Sequence, residues 1–298
     1  MRSTVIARPA PTVVDKPKPT VLKIPDLPAM PAIAARVMKL LADPMTDAER
    51  LRRVISADPA LTARVLRIAN SAFYGCPREI RTLTTAISVI GFRAIRNLVL
   101  GVSAGSLFER AGLAKQLFWD HAVGAAIVSC LIAGQIRRVE REEAFIAGLL
   151  HDIGQVLLYH ADPDRYRQVL EAVYNDGADT VATEDEILGF NHTELGGQVI
   201  HKWKLFEDLE MAVRFHHSLP PELPANRGGF TLAAVVNLAD QICTRLGIGR
   251  REPDEGLPVD ACPGAVHLGF TGPRAEELLR QAEQTYQKER EAFQECQS

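Results

Sequence analysis

The 298 residues hold only five cysteines, and Cys76, Cys130, Cys243, Cys262 and Cys296 are scattered and odd in number. No CxxC pair and no disulfide framework can be built from them, which points to a reducing compartment. An excess of one charge is also missing. Lys and Arg number 34 against 37 Asp and Glu, for a net charge of −3, so there is no overall basic footprint for nucleic acid. No segment offers the roughly 18 uninterrupted apolar residues of a membrane helix. The opening stretch MRSTVIARPAPTVVDKPKPT has no apolar run long enough for a signal peptide. Strand-like alternation is nearly absent. These gaps leave a soluble, cytoplasmic, all-α protein as the expectation, with a hydrophobic share of 47% that is ordinary for a globular chain.

The apolar pattern divides the chain. Residues 1–24 carry Pro9, Pro11, Pro17 and Pro19 and predict a flexible tail. A first helical lobe is expected over 25–110. Ile33, Val37, Leu40 and Leu41 recur at helical spacing, Thr46 is expected to cap the next helix, and Asp58-Pro59 to open a third as N-cap and N1. Thr84–Ile90 and Phe92–Leu100 read as two helices broken at Gly91. That hairpin has the outline of a DNA-reading motif and offers Arg93 and Arg96. Ile95, Leu98, Val99 and Leu100 dominate it, however, and favour packing.

A second lobe is expected over 111–248, followed by a loop and a C-terminal helix over 249–298. The helix Pro273–Phe293 has a thin apolar stripe and is expected to fold back on the body. Trp119–Ala133 is apolar nearly all round and predicts a buried helix that contains His121. Glu142–Leu158, EEAFIAGLLHDIGQVLL, reads as one apolar helix carrying His151 and Asp152 side by side. Asn191 with Glu194 resembles a capping box, placing His192 in the first turn of its helix. His216-His217 ends another helix, and Asp240 lies four residues past Val236, on or beside a buried face.

Each of these side chains has an ordinary explanation alone. His121 suits a core histidine, His192 a first-turn residue, His216-His217 a surface dyad, and Asp240 an arginine partner. Together, five helical segments place His or Asp on apolar faces, where ionisable groups tend to be paired or metal-bound. A shared transition-metal site, holding Fe, Mn, Zn or Ni, is the reading that unites them, with an Asp able to bridge two ions.

The series His121, His151-Asp152, His192, His216-His217 and Asp240 resembles the ligand set of the HD superfamily of metal-dependent phosphohydrolases, in the binuclear form of HD-GYP domains. LPAMPAIAARVMKLL, ISADPALTARVLRIANSAFYG and LTTAISVIGFRAIRNLVLG resemble the N-terminal lobe of HDOD domains, as GLLHDIGQVLL, HTELGGQVIHKW and AVRFHHSLP resemble their later stretches. The likeness runs from about Ile24 to Gly247. It implies a two-lobed helical HDOD fold and a bacterial regulatory module of signal transduction that binds a protein partner. It also implies one ion on His121, His151, Asp152 and Asp240, and another on Asp152, His192, His216 and His217.

Many HDOD domains lack that full series, whereas this chain retains it. If the site is active, it would be a phosphohydrolase acting on a nucleotide or cyclic dinucleotide, using metal-activated water near Asp152. Gln155 stands where the HDIGK type carries lysine, with Arg214 and Lys202 as substitutes, and no GYP motif follows His217. No receiver, GGDEF or kinase segment is recognisable, so the module is expected to stand alone. Turnover is left open by the residues.

Overall fold

The computed structural model of the chain describes residues 27–71, 74–76, 78–108, 114–220 and 228–294. The Pro-rich segment 1–24 and the lobe boundary near 110 lie outside the described residues. Among those described there are helices and no strands. The all-α expectation therefore holds.

The first lobe is α1 (Ala32–Leu41), α2 (Ala48–Ile55), α3 (Pro59–Ala69) and α4 (Leu83–Phe108). Asp58 caps α3 by accepting from the Leu61 amide at 3.0 Å. The cap of α2 is Asp47 rather than Thr46. Asp47 accepts from the Arg50 amide at 2.7 Å, while the Thr46 hydroxyl donates to the Leu40 carbonyl and latches the turn to the end of α1. Two polar residues compete for one cap, and the carboxylate adds its charge to the positive end of the helix. At Gly91 the backbone of α4 takes φ 86° and ψ 166°, a conformation that essentially only glycine adopts. Beyond that kink Ile95, Leu98, Val99 and Leu100 are buried, and the Arg96 guanidinium stacks 5.6 Å from the Phe206 ring centre.

The second lobe is built on α5 (Lys115–Ile136), α6 (Arg141–Leu150) and α12 (Gly228–Leu246), surrounded by α7 (Ile153–Ala161), α8 (Pro163–Asp176), α9 (Thr180–Leu188), α10 (His192–Lys202) and α11 (Glu207–Phe215). By length and composition α4 and α5 would pass for membrane spans, yet more than half of α4 and most of α5 are enclosed by the protein's other helices. Close approach of α5 and α6 depends on Gly148. A Cβ there would stand 2.4 Å from the Ala125 carbonyl oxygen.

Two further readings of the sequence are corrected. Glu142–Leu158 is not one helix: α6 stops at Leu150 and α7 begins at Ile153, with His151-Asp152 in the break. Apolar periodicity continues across the junction because both helices are buried, so it could not mark the break. The stretch between Gly247 and Gly272 is not all loop. It holds a 3-10 turn at Val259–Ala261 and the short helix α13 (Pro263–Leu268), opened by Cys262 and Pro263. The final helix α14 (Pro273–Gln294) does fold back, burying Leu278, Ala282, Tyr286 and Phe293.

Gly148→Ala is expected to destabilise the fold by about 1–3 kcal/mol, because a methyl must be forced against backbone. Urea unfolding measures it; an unchanged midpoint would contradict the α5–α6 approach.

Candidate metal centre

The break between α6 and α7 is what makes the site. Asp152 leaves the helical path at φ −99° and ψ 16°. Gly154, just behind it, lets α7 touch α10, since a Cβ there would lie 2.0 Å from the His192 carbonyl oxygen. That approach carries His192 to Asp152.

The structure brings the seven candidate side chains together, with the Asp152 carboxylate at the centre of the other six. Oδ2 has His151 Nε2 at 3.4 Å and His121 Nε2 at 3.6 Å. Oδ1 has His192 Nε2 at 3.3 Å and His216 Nε2 at 3.6 Å. His217 completes the second group, its ring 4.2 Å from that of His216 and 5.2 Å from that of His192. Two donor clusters result: His121, His151 and Asp152 on one side, and Asp152, His192, His216 and His217 on the other. Asp240 is at the rim of both. Its Oδ1 is 3.1 Å from His121 Nε2, and its Oδ2 is 4.0 Å from His217 Nδ1.

The other ring nitrogens are already committed. Nδ1 of His151 meets the Gly148 carbonyl at 2.7 Å, that of His216 the Val213 carbonyl at 2.8 Å, and that of His121 the Ile248 carbonyl at 3.2 Å. His192 Nδ1 meets Glu184 Oε2 at 2.6 Å. A carbonyl or carboxylate can only accept, so Nδ1 carries a proton in each ring, and in the neutral form Nε2 presents a lone pair. In that form four lone pairs face a carboxylate that has no proton to give. His151 Nε2 and Asp152 Oδ1 are buried without a hydrogen-bond partner, and His192 Nε2 faces His216 Nε2 at 3.4 Å. Such an arrangement is costly unless a cation stands between the donors. The cluster therefore has the donors, tautomers and unsatisfied atoms to hold a metal ion, and mixed imidazole and carboxylate suits first-row transition metals.

The electrostatics divide the rings: burial would lower His121, but the Asp240 carboxylate overrides it and raises the group. Burial opposes charge on Asp152, but the surrounding imidazoles hold it well below the usual carboxylate range. Burial pushes His151 and His216 down, keeping them neutral and available as ligands. Burial alone would also lower His192, but the Glu184 carboxylate overrides it and lifts the group to about 9.

Glu184 is the residue that sequence reasoning missed. It is fully buried, accepts from both the backbone amide and Nδ1 of His192 at 2.7 and 2.6 Å, and receives the Tyr166 hydroxyl at 2.6 Å. A signal was available: Glu184 interrupts the apolar stripe between Val181 and Leu188 on α9. Asn237 plays a similar part, donating to the His216 carbonyl at 2.7 Å and accepting from the Gly264 amide at 2.8 Å. The two cations suggested in place of a lysine at Gln155 are engaged elsewhere. Lys202 Nζ donates to the Leu27 carbonyl at 2.8 Å, and Arg214 Nε donates to Glu210 at 2.9 Å.

Glu184→Gln is expected to weaken metal retention about 10- to 100-fold while leaving the fold intact. Lys202→Ala should leave retention unchanged. Competition with a chelator measures both, and equal retention in all three proteins would remove Glu184 from the site.

Comparisons with known proteins identify the fold. A family model for the HDOD domain matches residues 27–219. An HDOD domain protein of unknown function from Geobacter sulfurreducens superposes with a TM-score of 0.73 at 25% identity, covering 91% of this chain and 93% of that one. A protein provisionally described as a phosphohydrolase, from Shewanella amazonensis SB2B, gives a TM-score of 0.68 at 26% identity, covering 90% and 96%. Among curated proteins, an uncharacterized protein of Treponema pallidum (strain Nichols) is 23% identical over 273 residues. That is 91% of this chain but 51% of the relative, so the chain spans about half the length of the curated protein it matches. With the family match running through both helical lobes and over most of the chain, the protein belongs to the HDOD family.

Proposed function

We propose that the chain is a bacterial signal-transduction module in which the HD-like lobe holds a binuclear transition-metal centre and the N-terminal lobe meets a regulatory protein partner. The observation that carries this reading is the ring of Nε2 lone pairs around Asp152, with every opposing Nδ1 already spoken for. His121, His151 and one oxygen of Asp152 would hold one ion, with Asp240 at its edge. The other oxygen of Asp152, with His192, His216 and His217, would hold the second. Division of labour between the lobes supports the partner. None of the seven donors comes from α1–α4, so the first lobe is free of duties at the centre. Free cysteines at 76, 130, 243 and 262 support a reducing, cytoplasmic setting.

A second reading, hydrolysis of a nucleotide or cyclic-dinucleotide phosphoester, is favoured by a pocket of about 350 Å³ that reaches Asp152, His121, His217 and Asp240. Bound ions would supply Lewis acidity and activate water at neutral pH. The protein's part is to keep His151 and His216 neutral and all the rings aimed. Carbonyl groups of α6 and α11 and the Glu184 carboxylate fix the ring orientations.

Elemental analysis after expression with added metal is expected to find about two equivalents of Fe, Mn, Zn or Ni per chain, and Asp152→Ala to lose most of both. Less than about one equivalent in the unaltered chain would overturn the metal reading. A phosphodiesterase screen of the loaded chain over nucleotides and cyclic dinucleotides, with Asp152→Ala as control, separates the hydrolase from the non-catalytic module.

A further inference from the structure

The pocket over Asp152 contains a cation that none of the site assignments uses. Arg250 lines it, together with Gln155, Tyr174, Gln241 and Thr244. The turn that carries Arg250 is the one that orients His121. The Ile248 carbonyl meets His121 Nδ1 at 3.2 Å, and the Arg250 amide closes the turn on the Gly247 carbonyl at 3.3 Å. Gly249 between them takes φ +69°, and a Cβ there would stand 2.4 Å from both the Cβ and the amide nitrogen of His121. The turn is therefore pressed flat on α5, and the side chain after Gly249 is delivered at the mouth of the site.

The neighbouring arginine goes the other way. Arg251 is exposed, lies 5.9 Å from the Tyr174 ring centre and reaches Asn175 Oδ1 at 3.4 Å. Arg250 instead is half-buried and lines the pocket with His121 and Tyr174.

Among the described residues no carboxylate lies within ion-pair range of Arg250. The acids lining the same pocket are taken. Asp179 Oδ1 caps α9 through the Ala182 amide at 2.8 Å, and Asp254 Oδ1 accepts from the Gly256 amide at 3.2 Å. Asp152 and Asp240 are turned to the imidazoles. Arg250 is thus not the counter-ion of the centre, and a half-buried guanidinium beside a cation site is an arrangement suited to an oxyanion.

We propose that the pocket over Asp152 is a phosphoryl-binding site in which Arg250, arriving from the turn after α12, supplies the charged clamp that Gln155 does not. The inference rests on the metal reading. The ligand is a small molecule with a phosphate monoester or diester group, held by the ions on one side and the guanidinium fork on the other. Gln241 and Thr244, polar residues of α12 in the same wall, are the groups placed to meet its remaining polar atoms.

The test uses the full chain, loaded with Mn, and inorganic phosphate as the probe, titrated calorimetrically with metal content and thermal midpoint measured on the same samples. Arg250→Gln is expected to keep its metal and its midpoint and to lose about tenfold to a hundredfold in phosphate affinity. Arg250→Lys should recover part of that loss, and Arg251→Gln should bind as the unaltered chain does. Unchanged phosphate affinity in a metal-loaded Arg250→Gln protein overturns the role of Arg250 and leaves the metal reading standing. Absence of metal from the unaltered chain overturns both.

Discussion

The structure turns on one crowded encounter: a buried carboxylate met by four imidazole nitrogens whose rings are each already anchored through the other nitrogen. Asp152 touches His121, His151, His192 and His216 within 3.3–3.6 Å. Each of those rings has spent its N–H on a partner behind it. Neither neutral tautomer satisfies both nitrogens of a ring, because a proton moved to Nε2 would leave an Nδ1 lone pair against a carbonyl or carboxylate oxygen. The second lobe holds the rings in an orientation that a bound cation would reconcile, which is how supporting hydrogen bonds tune a metal site.

That orientation is maintained by backbone proximity more than by side-chain packing. Gly148 lets α6 lie on α5, and Gly154 lets α7 lie on α10, in each case at distances that leave no room for a methyl group. The Gly249 turn does the same against His121. Three glycines, each opposite a carbonyl, an amide or a Cβ on another element, define the cage, while the aliphatic core around them sets its surroundings.

The sequence showed the pieces better than the joints. The Asp58 and Asn191 caps could be read directly, because capping depends on residues two or three positions away. The donors were legible as His and Asp residues set among apolar ones. The break at His151-Asp152 was not, since helices buried on both sides of a break keep the same periodicity. Glu184 was hidden among its acidic neighbours Asp185 and Glu186, and only α8 and α10 closing over it distinguish it. Arg250 sits in a glycine-rich turn with no periodicity to read. Lys202 and Arg214 lay close to the motif histidines along the chain and were suggested for that reason, but tertiary contacts direct them to Leu27 and Glu210.

The donors are spread from His121 on α5 to Asp240 on α12, with the break between α6 and α7, the start of α10 and the residues just after α11 supplying those between. No local hairpin or single helix contains even half of them. The centre can therefore exist only after long-range contacts have closed, so it is a late product of folding rather than a nucleus for it. An ion held there would act as a lock on the assembled lobe. Fraying any one of those helices would release it, which ties occupancy to the cooperative integrity of the whole second lobe.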